Sequence, residues 1–176
     1  MSGTYGALHN QVTYSVSPEY FTQLKFEQFG IAEDIPHRYG AALVGWLASW
    51  WMGLVIGGIL LPAGFLIREN RDYFVCMFRA YFLVLMTTFA FGAVAYFLGY
   101  LFTPESTDEM IFRGIPISDS ARFSRAKSIH NASYLGGLIG IFGGLASILR
   151  RFLYLESRGR EIDLTSERAS FKRMKV

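Results

Sequence analysis

Two histidines occupy the positions from which metal or haem chemistry could be carried out. His37 stands just ahead of one long apolar run and His130 just ahead of another. With a third apolar run between them, helices through all three would bring both histidines to the same side of a membrane. Glu33, Asp34, Glu105, Asp108 and Glu109 fall on that side too. Imidazole with carboxylate suits zinc, iron or copper, and two imidazoles can ligate a haem. The spacing is not specific. There is no His-Glu-x-x-His, and a histidine at a helix end is commonly just a polar residue. The sequence therefore requires no cofactor. A haem or metal site on His37 and His130 is kept as an alternative.

Other chemistry is scarce. The single cysteine, Cys76, excludes an internal disulfide and a two-cysteine metal site, and it reads as an apolar filler. Serines in the apolar runs have no neighbouring base, so catalysis there is not expected and the chain reads as a non-enzyme. No run contains an ionisable residue, which argues against a proton-coupled pump. An oligomeric channel lined by Ser49, Thr87, Thr88 or Ser147 is a second alternative. Thr87 and Thr88 can instead bond the carbonyls of their own helix. Asn131-Ala132-Ser133 matches a glycosylation acceptor but overlaps the start of a span, where a transferase has poor access.

The elements that must position these residues are set by hydropathy. The chain has 176 residues, 52% hydrophobic and only 18% charged. Soluble domains run nearer a quarter charged. Tyr39 to Ile67 is 29 residues without a formal charge, Ala80 to Pro104 another 25, and Asn131 to Leu149 another 19. Each can cross a hydrocarbon core of about 30 Å as a helix. The expected fold is an all-α integral membrane protein with three transmembrane helices, 39–67, 80–104 and 131–149. Around them lie an extramembrane N-terminal segment 1–38, a short loop 68–79, an extramembrane stretch 105–130 and a basic cytoplasmic tail 150–176. Met1-Ser2-Gly3-Thr4-Tyr5 lacks the basic start and early apolar run of a cleavable signal peptide.

Charge suggests the orientation. The segments on the N-terminal side carry six Lys and Arg, the opposite side eleven. The positive-inside rule then gives N-out/C-in, with a plasma or inner membrane as the expected location. Counted only within about 15 residues of the helix ends, the asymmetry narrows to six against seven. The tail holds eight basic and four acidic residues with no interleaved aromatic platform, so anionic lipid is expected there and nucleic acid is not.

Local signals fill in the rest. Val12 to Val16 alternates like a short strand. Ser17-Pro18 looks like a helix start and Gly30 like its stop, giving an interfacial helix over 18–29 packed on the bundle. Pro62-Ala63-Gly64 should kink or end the first span. Residues 105–117 read as irregular. Ser118 is the expected cap of a helix from Asp119 that carries the third span about three turns beyond the membrane, decorated by Arg122, Arg125 and Lys127. The end of the tail reads as a solvated helix or a segment ordered only in a complex.

Small residues form the sharpest pattern. At 100° per residue, Ser133, Gly136, Gly137, Gly140, Gly143, Gly144 and Ser147 share about a third of the helical wheel. Five glycines weaken a helix unless another helix comes close. Ala41, Gly45, Ser49, Gly53 and Gly57 form a matching row at i, i+4 in the first span. The simplest expectation is a tight crossing of spans one and three, within or between protomers. This favours a non-enzymatic membrane assembly protein, a homo-oligomer or accessory subunit. Its partners would be the lipid bilayer and other membrane subunits or copies of itself.

Overall fold

The computed structural model describes residues 1–103 and 108–173. It is almost wholly helical. Helix α1 spans Ser2–Val16. A broken helical segment follows: α2 (Pro18–Tyr20), a π turn (Phe21–Lys25) and α3 (Phe26–Phe29). Helices α4 (His37–Gly64) and α5 (Asn70–Phe102) come next. A two-stranded hairpin, β1 (Met110–Phe112) and β2 (Ile115–Ile117), leads into α6 (Ser120–Arg173). At 54 residues, α6 is about 80 Å long.

Three helical stretches are long and apolar enough to cross a membrane: His37–Gly64, Asn70–Phe102 and Ser120–Ile162. Only 11% of the most apolar window of α5 is buried within the chain. Phe74, Phe78, Phe82, Phe89 and Phe97 all point outward from it. Such a surface needs an apolar surround that the chain does not itself provide.

Several expectations need correction. Val12 to Val16 is helix, not strand. The buried positions of α1 are Gly3, Gly6, Asn10, Thr13 and Val16, a 3–4 spacing hidden from hydropathy because most of them are small or polar. The stretch 105–117 is not wholly irregular, since Met110–Phe112 pairs with Ile115–Ile117 around Arg113 and Gly114, both at positive φ. The cap of α6 is Asp119 rather than Ser118: its Oδ1 accepts from Arg122 N at 2.9 Å. Arg125 does not decorate a projection. It is 3% exposed, and its guanidinium donates to the carbonyls of Gly99 and Thr103, which close the C-terminal end of α5.

The local helix signals correspond to the observed geometry. Ser17 Oγ accepts from Tyr20 N at 3.2 Å, with Pro18 at the first helical position. Gly30 ends α3 at φ 62°, in the left-handed region where glycine is favoured. Helix α4 ends at Gly64, two residues after Pro62.

The small-residue rows do not meet each other as expected. The α6 row lies on α5. A Cβ at Gly136 would stand 2.6 Å from Thr87 O, one at Gly140 2.7 Å from Val84 Cα, and one at Gly144 3.3 Å from Ala80 O. Gly143 and Gly137 face Leu83 and Thr88 side chains. The α4 row lies on α1. A Cβ at Gly45 would stand 2.5 Å from the carbonyl carbon of Gly6, and Gly6 in turn faces Gly45 and Ser49. The fully buried Ala41 accepts from Asn10 Nδ2 at 3.0 Å, and Gly53 faces Ser2. Gly57 touches only Leu61 of its own helix. A short helix absent from the hydropathy profile thus takes the place expected for the third span.

Two cores result. One holds Tyr20 and Phe21 with Val44, Phe123 and Ile129 at the end of the bundle that carries the hairpin. The other joins Ile56, Leu60, Cys76, Val84, Ile141 and Ile148. Arg151 pairs with Asp72 at 2.8 Å and ties α6 to the start of α5.

Candidate functional site

Between the two cores the helices leave a cavity of about 470 Å³, walled by α1, α4, α5 and α6 and by residues of the π turn and α3. Its size falls within the usual range for small-molecule sites, about 300–1,000 Å³. Its apolar lining includes Val44, Met52, Ile56, Val84 and Leu85. Its polar lining includes Tyr5, His9, His130 and Ser133.

Those four residues come from two helices. Tyr5 and His9 are four apart on α1 and so share a face, their rings stacked at 5.7 Å. His130 and Ser133 are three apart on α6. The His9 and His130 rings meet edge to face at 4.9 Å. Tyr20 stacks on His130 at 5.1 Å from the far side, and Phe21 and Tyr134 complete its surround. A Cβ at Gly92 would stand 2.5 Å from Ser133 Oγ and 3.6 Å from His9 Cε1, so the missing side chain of α5 makes room for both.

Four polar atoms here are buried without a hydrogen-bond partner: Tyr5 Oη, His9 Nε2, His130 Nε2 and Ser133 Oγ. Tyr5 Oη and Ser133 Oγ are neighbours, but they complete no hydrogen bond of normal geometry with each other. Each such atom costs about 1–3 kcal/mol if left unpaired. Burial pushes the His9 imidazole down to about 4, so that ring is neutral near pH 7. A neutral imidazole offers one donor and one acceptor.

A cation stands at the other edge. Lys25 lines the cavity together with the exposed Gln28, so the cavity reaches the surface there. Lys25 Nζ donates to Gln28 Oε1 at 3.0 Å and lies 5.6 Å above the Tyr20 ring. Burial lowers its pKa, and the nearby Arg113 lowers it further. Burial also raises the Tyr20 phenol, with Tyr134 adding to it, so Tyr20 stays protonated.

No known protein family, curated protein or solved structure matches this chain.

His37 and His130 do not form the expected pair. His37 is exposed and meets the Phe26 ring at 5.7 Å. Phe26 and Phe21 stand between it and His130. Among the described residues no group of three His, Cys, Asp or Glu could hold a metal ion. The partner of His130 is His9, a residue with no motif of its own in the sequence. An i, i+4 pairing of Tyr5 with His9 was available as a signal, but only to a reading that took residues 2–16 as helix. Ser133, expected in the packing face, packs on Gly92 of α5 and also borders the cavity. Thr87 and Thr88 donate to the carbonyls of Leu83 and Val84 in their own helix.

Proposed function

We propose that the protein is a multi-pass membrane protein that binds a small amphiphilic molecule in the cavity between α1, α4, α5 and α6, without transforming it. One observation carries this reading. Among the described residues, all four that hold an unpartnered buried polar atom line a single, mostly apolar cavity. A molecule with a hydrogen-bonding head and an apolar body would satisfy the first and fill the second. The glycine rows that could call for a second chain are met largely within one, Gly57 apart, which favours this reading over assembly. Two of the four hydroxyls that a channel would use, those of Thr87 and Thr88, bond their own helix, which favours binding over conduction.

In this reading α4, α5 and α6 cross the bilayer N-out/C-in, and the mouth at Lys25 and Gln28 opens on the outer side. Reporter fusions at Arg113 and at the C-terminus should give opposite sidedness, with the C-terminus cytoplasmic. The reverse result would invert the orientation.

Filling the cavity tests the binding itself. Ala48 lines it, and Ala48→Phe should occupy the space a ligand needs. Native mass spectrometry of the detergent-extracted chain should show a retained small molecule that Ala48→Phe lacks. A wild-type chain that retains nothing, and whose melting no amphiphile alters, would sink the proposal.

A further inference from the structure

We infer that the occupant is a single-chain amphiphile with an anionic head, a long-chain carboxylate, whose head lies between Lys25 and Ser133 and whose tail follows α4 toward Ile56. This rests on the cavity being a ligand site, as proposed above.

The first support is charge. Lys25 borders the cavity with an amide and a ring face as its contacts, and no ion pair of the described residues includes it. An ammonium has three donors and Gln28 takes one, so two are open to water or to a ligand. An anion satisfies them better than a neutral acceptor, because charge-assisted hydrogen bonds are the stronger kind. The lowered pKa of Lys25 agrees with a cation that lacks its counter-charge.

The second is the set of donors opposite. Ser133 is 4% exposed and His130 7%, and neither Ser133 Oγ nor His130 Nε2 has a partner. With Tyr5 these residues bring hydroxyl and imidazole side chains to the border of one cavity. A carboxylate can accept from several donors at once through its two oxygens.

The third is shape. Val44 and Ile56 both line the cavity and are twelve residues apart on α4, a rise of about 18 Å. A slot of about 470 Å³ extended over that length is narrow. It has room for one chain and one head, not for a two-chain phospholipid.

The test compares heads on one tail. Full-length protein in a non-ionic detergent is melted and titrated with palmitate and with hexadecanol. Palmitate should stabilise the chain and bind about tenfold tighter than the alcohol. Lys25→Gln should abolish that preference, and Lys25→Arg should keep it. Ala48→Phe should lose the binding of both. Equal binding of acid and alcohol would overturn the carboxylate head and leave the cavity as a ligand site. A preference for palmitate that survives Lys25→Gln would overturn the role of Lys25. Binding of neither probe, or binding unchanged in Ala48→Phe, would overturn the palmitate-sized occupant, and native mass spectrometry without a retained molecule would then remove the binding reading itself.

Discussion

Two kinds of helix contact stand side by side in this molecule. Where α5 meets α6, and where α1 meets α4, glycine lets backbone approach backbone: Gly136 and Gly140 on Thr87 and Val84, Gly6 on Gly45. Where α1 faces α6, the residues are Tyr5, His9, His130 and Ser133, and a gap opens beside them. The first kind is close-packed. The second is polar and leaves four atoms unpaired. The difference shows how a small bundle can keep a cavity open. With α1 clamped to α4 and α6 clamped to α5, the helices that border the gap cannot slide inward to close it. Close packing in one place thus preserves loose packing in another.

Breaking a clamp should have the largest effect. Gly45→Leu would press a side chain into the backbone of α1, and we expect a loss of about 3 kcal/mol, read as a lower melting temperature. Gly140→Leu should cost about 2 kcal/mol by the same mechanism. Ile139→Leu, on the exposed side of the same turn, should change little. Equal tolerance of Gly140→Leu and Ile139→Leu would mean that the α5–α6 contact is not a clamp.

A smaller effect is expected where the broken segment meets α6. Burial of Glu19 acts to raise its pKa, but the backbone N–H groups of Ser118 and Asp119, at 2.7 and 3.0 Å, outweigh it and hold the carboxyl below its ordinary value. A carboxyl lowered in the folded state adds stability above its unfolded pKa, and that stability is lost as pH falls through the folded value. Melting temperature should therefore drop more steeply below about pH 4.5 in wild type than in Glu19→Gln. Parallel curves would show that Glu19 does not help to hold the segment.

The smallest effect is expected in the gap, and with opposite sign. Ser133 Oγ has no partner, so Ser133→Ala removes an unsatisfied hydroxyl. In protein stripped of bound amphiphile it should leave stability unchanged or raise it by up to about 1 kcal/mol. A clear loss of stability would mean that the hydroxyl is already satisfied, and the contrast between the two contacts would narrow.

Much of this was legible in the chain. The three apolar runs correspond for most of their length to α4, α5 and α6, because a helix that cannot bury its apolar face within the chain must be apolar over most of its surface. Ser17, Pro18 and Gly30 marked their helix ends, because capping depends on one residue and its nearest neighbours. The role of Arg125 is hidden from the sequence for the converse reason. Its value lies in two carbonyls more than twenty residues away, at the end of another helix.

By itself the sequence determined which stretches are long apolar helices and where small residues line them, since both depend on residue type and on a period of about 3.6 residues. It did not determine which helix each small face meets. That choice depends on the relative rotation and height of α1, α4, α5 and α6, quantities with no local signature. The pairing of His9 with His130 has the same origin. The two are 121 positions apart, and their rings lie 4.9 Å from each other only because α1 folds back along α4. Tertiary packing alone turned a polar stripe on a short helix and two residues of a long one into the wall of a single site.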